Sequence, residues 1–239
     1  MAASFPETAI STERLLLRPL AEDDAPGLAA MMADELVLTW TDLPYPFTED
    51  YAAEFARTLA PAHRAAGRGI VFAVTEHLTE RLVGLVELRN TDWRLRSTEI
   101  AYVTAPWARG EGYAPEAVLG TAQWLFEDRG FLRLEMRTAA GNTAAQQVAQ
   151  KVGGISEGVL RSAWIVRGES AESGGTRGPW GTGGTGGSGR GGAGAPFGGA
   201  SEAESRSDLI LWSLLPEDME NPAEPESAWH GDHRYVLRD

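Results

Sequence analysis

The spacing of apolar and polar positions divides the chain into short extended runs and helical runs. Residues 12–20 (T-E-R-L-L-L-R-P-L) read as a first strand, after a loose terminus at 1–11. Residues 23–33 set alanines, leucine and methionines at helical spacing behind acidic residues, a helix-start signal. Residues 38–47 (L-T-W-T-D-L-P-Y-P-F) read as an aromatic loop with two prolines. Thr48 can cap a second helix over 48–66, with Tyr51, Phe55 and Leu59 on one face. Residues 70–76 and 82–89 are the strongest strand candidates, and the few polar residues between them suit a hairpin. A further strand from Glu99 ends at Pro106, a loop carries Gly110 and Gly112, and a helix follows with Val118, Ala122, Leu125 and Phe126 on its apolar face. Residues 132–138 alternate as a half-buried strand should. Asn142 can cap a helix over 143–152, ended by Gly153 and Gly154, and 159–166 and 208–215 read as two closing strands.

The stretch 168–207 lies between those closing strands and includes G-T-G-G-T-G-G-S-G-R-G-G. Its apolar area is too small to offset the entropy of ordering it, so a disordered insertion in a hairpin loop is expected. The alternative is a flexible lid or a partner-binding arm, with Trp180 and Phe197 as its large anchors. The tail at 216–239 is rich in Pro and Glu before W-H-G-D-H-R-Y-V-L, a piece that docks as an extra strand or hangs free. These runs predict one folded domain over 12–215 rather than two.

Composition narrows the function classes. The 239 residues are 43% hydrophobic, enough for a core, and carry a net charge of -13. An acidic surface repels nucleic-acid backbone and favours cationic or amine-bearing partners. There are no cysteines, which excludes disulfides, zinc–thiolate sites and thiol catalysis and agrees with a cytoplasmic protein. No run approaches the ~20 apolar residues that span a bilayer, and the first residues lack the basic-then-apolar pattern of a leader. Nothing in the sequence demands a homodimer, although one is allowed.

The chemistry concentrates at 99–126. A strand, a glycine loop and a helix start together make an anion cradle: loop amides point at the anion, and the helix dipole favours negative charge. The loop lacks a lysine followed by Ser or Thr, so it is not a triphosphatase loop. A dinucleotide fold would place such a loop after its first strand, not its fourth.

The order of elements resembles the GNAT acyltransferase superfamily. Arg109-Gly110-Glu111-Gly112-Tyr113-Ala114 is similar to that family's R/Q-x-x-G-x-G/A loop, which wraps the pyrophosphate of acetyl-CoA. The flanks W-A-R-G-E-G-Y-A-P-E-A, the segment G-N-T-A-A-Q-Q-V-A-Q-K-V-G-G and the opening T-E-R-L-L-L-R-P-L resemble the RimJ/RimL branch of ribosomal-protein N-terminal acetyltransferases. The resemblance implies an α/β (α+β) fold with a mixed, mostly antiparallel sheet flanked by helices. It further implies an enzyme that moves an acetyl group from acetyl-CoA directly to a primary amine, without a metal. Branch resemblance favours a protein N-terminal amine. A small-molecule amine, or an acyl-CoA-binding regulatory module of weak activity, are the alternatives.

The resemblance also implies the roles of individual residues. Glu99, on the strand before the loop, is the first candidate for the base that takes the amine's proton, and Glu87 is a weaker one. A backbone amide near Tyr102–Val103 polarises the thioester carbonyl. Asn142 contacts the pantetheine arm. The family's serine three residues after that asparagine is replaced by Ala145, which has no proton to give. Thr143 is the nearby hydroxyl for the leaving thiolate, since Tyr113 belongs to the CoA loop. A second departure is Gly154, where the family carries an aromatic. The loop before the second helix, with Trp40, Tyr45 and Phe47 among Leu43, Pro44 and Pro46, is expected to line the acceptor site.

Overall fold

The computed structural model describes residues 3–166 and 205–220. Of the expected insertion at 168–207, residues 168–204 lie outside the described residues, as do all but the first residues of the tail; 205–207 are not disordered but open the last strand, because they pair with 164–166.

Among the described residues, eight strands form one sheet: β1 (Ile10–Ser11), β2 (Leu15–Pro19), β3 (Ile70–Glu76), β4 (Leu82–Asp92), β5 (Ser97–Thr104), β6 (Arg133–Ala139), β7 (Ile155–Val166) and β8 (Ser205–Leu214). Their order is β1-β2-β3-β4-β5-β6-β8-β7, antiparallel at every junction except β5–β6, which is parallel. The mixed, mostly antiparallel sheet expected from the sequence is therefore present. The helices are α1 (Ala25–Met32), α2 (Glu35–Trp40), α3 (Glu49–Glu54), α4 (Ala60–Ala65), α5 (Tyr113–Gln123), α6 (Thr143–Lys151) and α7 (Pro216–Glu220). A π-turn, Phe55–Leu59, joins α3 to α4, so the expected 48–66 helix is one rod with a wide turn inside it. Thr48 caps that rod as anticipated, its hydroxyl accepting from the Tyr51 amide.

Three local features differ from the sequence expectation. Residues 3–11 are not loose: Phe5 is buried, stacks with Phe131 at 5.5 Å and meets the tilted ring of Trp93 at 4.8 Å. One aromatic among small and polar neighbours carries no periodic signal, yet its burial alone is worth about 2 kcal/mol. The aromatic loop begins as a helix, because Asp34 accepts from the Val37 amide and starts α2; six residues are too few for a helical period to stand out. Strand β7 begins at Ile155 rather than 159, since Ser156 and Gly158 pair with Trp212 and Leu211 of β8 despite their polar character.

The core is built from Leu15 and Leu17 of β2, Phe72 of β3, Leu88 of β4, Val118 and Leu125 of the fifth helix and its extension, and Leu134 and Met136 of β6. It seats α5 firmly, which fixes the loop preceding that helix.

Candidate active site

Strands β5 and β6 pair only from Ser97↔Arg133 to Glu99↔Glu135. Beyond that point β5 runs on to Thr104 and β6 to Ala139 without pairing, so the sheet opens into a wedge. A cavity of about 820 Å³ occupies this region, lined among others by Trp40, Phe47, His63, Glu87, Glu99, Tyr102, Asn142, Ala145 and Trp164. The open ladder leaves backbone groups of β5 available to an extended ligand.

The glycine loop lies at the end of β5. Gly110 has φ +84° and Gly112, the residue before α5, has φ +78°. Both conformations are disfavoured for residues with a Cβ, which explains the two glycines. A Cβ at Gly110 would meet nothing within 4 Å, so the space in front of the loop is open. The first amides of α5 have no helical acceptor and face the helix's positive end, which suits a diphosphate. The residues present thus fit the pyrophosphate of acetyl-CoA. Arg109 does not point freely at an anion: its guanidinium pairs with Asp34 at the start of α2. That pairing holds the Asp34 carboxyl below its usual range. Arg14 donates to the Glu111 carbonyl at 2.9 Å, and its guanidinium lies over the Tyr113 ring. The Tyr113 hydroxyl donates to Glu76, and Ala114 sits over β4 and β5 beside Gly84 and Val103.

Across the wedge, Asn142 caps α6, its Oδ1 accepting from the Ala145 amide at 3.1 Å. The Ala145 carbonyl accepts from the Tyr102 hydroxyl at 3.0 Å, and burial pushes the Tyr102 phenol well up, so it stays protonated. Thr143 is exposed on the first turn of α6 and does not line the cavity.

Of the aromatic wall, Trp40 and Phe47 line the cavity, with Trp40 packed against Gly141. Tyr45 is 51% exposed and stands outside the lining. Glu99 lines the cavity but is 3% exposed and fully engaged. Its Oε1 accepts from Arg89 Nε at 2.8 Å, and its Oε2 accepts from Asn90 at 3.0 Å and lies 3.4 Å from Arg137 Nε.

Glu87 lies on the neighbouring strand, on the same face, since Glu87 is opposite Ala101 and Arg89 opposite Glu99. It is 8% exposed, and burial pushes its carboxyl well above the carboxylate range. Its Oε1 lies 3.8 Å from His63 Nε2 and takes no hydrogen bond from the described residues. His63 itself was not foreseen; one histidine in an alanine-rich helix offers no sequence signal of its neighbours in space.

A split parallel pair, a left-handed glycine loop and a capped helix across the gap make an arrangement with room and donors for an extended ligand that ends in a diphosphate. The profile of the acetyltransferase (GNAT) domain matches residues 14–155, more than half of the chain, and the chain belongs to that family of acetyl-transferring enzymes, which use acetyl-CoA. It is 26% identical over 152 residues to an uncharacterized N-acetyltransferase, YoaA, of Bacillus subtilis, covering 64% of this chain and 85% of that one. Among solved structures, RimJ of Mycobacterium smegmatis in complex with CoA-disulfide superposes with TM-score 0.67 at 19% identity, over 89% of this chain and 90% of that one. The ribosomal-protein-S5-alanine acetyltransferase of Vibrio fischeri gives TM-score 0.64 at 16% identity, over 89% and 98%. A spermidine N-acetyltransferase, SpeG, of Vibrio cholerae gives 0.62 at 19% identity, over 89% and 100%. At these identities the superpositions show a shared fold.

Proposed function

We propose that the chain acetylates the α-amine at the end of a peptide or protein, with acetyl-CoA as donor. The observation that carries this reading is the cavity beside the strand split. Its roughly 820 Å³ set the aromatic faces of Trp40 and Phe47 against the carboxyls of Glu87 and Glu99. Such a wall suits an apolar flank that ends in a cationic group. The solved ribosomal-protein-alanine acetyltransferase gives the reading added support. The spermidine enzyme with the same fold keeps a small polyamine as the alternative, and a net charge of -13 attracts either.

In this reading the amides of Gly110, Gly112 and Ala114 hold the pyrophosphate, with Arg109, Glu111 and Tyr113 fixing the loop's shape. Asn142 meets the pantetheine arm, and an amide near Tyr102–Val103 polarises the thioester carbonyl. The amine attacks directly, and no covalent enzyme intermediate is involved. The thiolate then needs a proton. Ala145 has none to give and Thr143 points elsewhere, so the Tyr102 phenol, 3.0 Å from the Ala145 carbonyl, is the hydroxyl best placed on the cavity wall.

The test mixes the protein with acetyl-CoA and a panel of peptides with free α-amines, their α-blocked lysine counterparts and polyamines, and follows free thiol. Release that depends on the free α-amine supports the reading. Release with polyamines alone replaces it with the small-amine alternative.

A further inference from the structure

We propose that Glu87, seated beside His63, receives the proton that the acceptor ammonium must shed before acyl transfer, an assignment that rests on the acceptor reading above.

The pleat of β4 decides which of its side chains reach the cavity. Leu85, Glu87 and Arg89 alternate onto the cavity face. Arg89 is spent on Glu99, and Glu99 on Arg89, Asn90 and Arg137. A carboxylate whose two oxygens already hold three donors must break those bonds to take a proton. Glu87 is placed differently. It is buried at the cavity wall with an oxygen that accepts no hydrogen bond from the described residues. Leaving such an oxygen unpaired costs free energy, so its position is best explained by a donor that arrives with the substrate.

The groups facing Glu87 are His63 from α4, Arg89 on its own strand, Glu99 on β5 and Asp42 in the loop after α2. Burial raises its pKa most; Arg89 opposes the shift, and Glu99 and Asp42 add to it. His63 brings no charge to offset this. Burial lowers the imidazole's pKa, and Nε2 lies 3.3 Å from the Leu88 carbonyl, to which it donates as the Nε2–H tautomer. Gly69 permits that seat: a Cβ there would stand 2.5 Å from His63 Nε2 and 1.7 Å from the Leu88 oxygen. His63 thus forms one side of the seat that holds Glu87 at the cavity wall.

The shift matches the proposed acceptor. Proton transfer is most effective when donor and acceptor pKa values are close. An α-ammonium, near 7.7–8.0, lies closer to a raised carboxyl than a side-chain ammonium near 10.4. In the step, an N–H bond of the ammonium breaks and an O–H bond forms on Glu87. The freed lone pair attacks the thioester carbon, the C–N bond forms and the C–S bond breaks. The Tyr102 phenol protonates the departing sulfur and is restored by the second nitrogen proton, giving amide, thiol and a neutral Glu87.

The test measures initial thiol release between about pH 5.5 and 9 with a free-α-amine peptide, for wild type, Glu87→Gln and Glu99→Gln. Wild type is expected to show a rising limb with both an enzyme-borne and an amine-borne ionisation. Glu87→Gln, isosteric with the neutral form, is expected to keep CoA affinity by calorimetry, lose about 100-fold or more in kcat/KM, and retain only the amine's own limb. Glu99→Gln is expected to lose rate while keeping the enzyme-borne limb. A Glu87→Gln enzyme within about threefold of wild type, or loss of that limb in Glu99→Gln alone, overturns the assignment. If wild type releases thiol with no acceptor, the acceptor reading fails, and Glu87 is judged by infrared difference spectra. A protonated-carboxyl band that persists above the ordinary carboxylate range and vanishes in Glu87→Gln supports the assignment, and its absence in wild type overturns it.

Discussion

Replacing Glu116 with alanine should loosen the donor loop and the start of the sheet together. Glu116 sits one turn into α5, with 17% of its side chain exposed. Its Oε1 accepts from the Thr12 hydroxyl at 2.6 Å and the Arg14 amide at 2.9 Å, and its Oε2 accepts from Arg14 Nε at 2.7 Å. The ion pair itself contributes little, about 0–1 kcal/mol, because Arg14 is 44% exposed. The larger loss comes from the Thr12 and Arg14 donors left without their charged acceptor, at about 1–2 kcal/mol in all once water partly replaces it. The sum, about 2 kcal/mol, corresponds to a fall of roughly 4–8 °C in melting temperature for a domain of this size. Arg14 also holds the Glu111 carbonyl, so CoA affinity should drop severalfold in the same variant. Glu116→Gln keeps an acceptor oxygen and should lose less than half as much. The carboxyl adds a pH signature. Burial pushes its pKa up, but the Thr12 hydroxyl, the Arg14 amide and the guanidinium outweigh it, and the net shift is downward. Stability from this group is therefore present above the unfolded carboxylate pKa and lost as pH falls through the depressed folded value. Differential scanning calorimetry at neutral and acidic pH, with CoA titrations, reads all three effects. An alanine variant melting within about 1 °C of wild type, or a gap to wild type that widens on acidification, would refute the reasoning.

The other predictions concern the cavity wall. Glu87→Gln should gain stability relative to wild type as pH rises: the raised carboxyl contributes fully below its unfolded pKa and loses that contribution as pH climbs through the folded value, which melting curves across pH will show. Tyr102→Phe should cost about 1 kcal/mol from the lost bond to Ala145 and slow turnover at unchanged CoA affinity; an unchanged kcat removes the phenol as the thiolate's proton source. Ala145→Ser in the Tyr102→Phe background should then recover part of kcat by restoring a hydroxyl at the cavity. Gly69→Ala should cost about 3 kcal/mol or more, because its Cβ would overlap the Leu88 carbonyl at 1.7 Å and push His63 off Glu87; equilibrium unfolding measures it.

The parts of this molecule that were legible in sequence are those written locally. Gly110 and Gly112 declare a backbone geometry that neighbouring residues cannot mask, and the caps at Thr48 (3.2 Å) and Asn142 (3.1 Å) follow from side-chain reach within one turn. The continuous apolar runs of β3 and of the first half of β4, joined by a few polar residues, announce a hairpin covered on both faces. What stayed hidden depends on chain segments far apart. Phe5 is a core residue only because Phe131 and Trp93 arrive beside it. Tyr45 and Phe47 look alike in sequence, yet Phe47 turns into the core to meet Tyr51 while Tyr45 faces outward.

The two glutamates show the same limit at the site. Glu87 and Glu99 each stand in a strand with apolar neighbours, and position relative to the glycine loop favours Glu99 as the base. What separates them is the company brought by folding. The strand register sets Arg89 opposite Glu99, and β6 brings Arg137 to its other oxygen, so this carboxylate is compensated where it lies. Glu87 lies opposite Ala101, and its nearest ring is the His63 imidazole of α4; burial is the largest influence on its carboxyl and outweighs the opposing Arg89. A compensated charge stiffens the wedge, while an uncompensated one is poised to exchange a proton with an amine. The same residue type on one sheet face thus serves two purposes, and the choice is made by register, which no local pattern around either glutamate encodes.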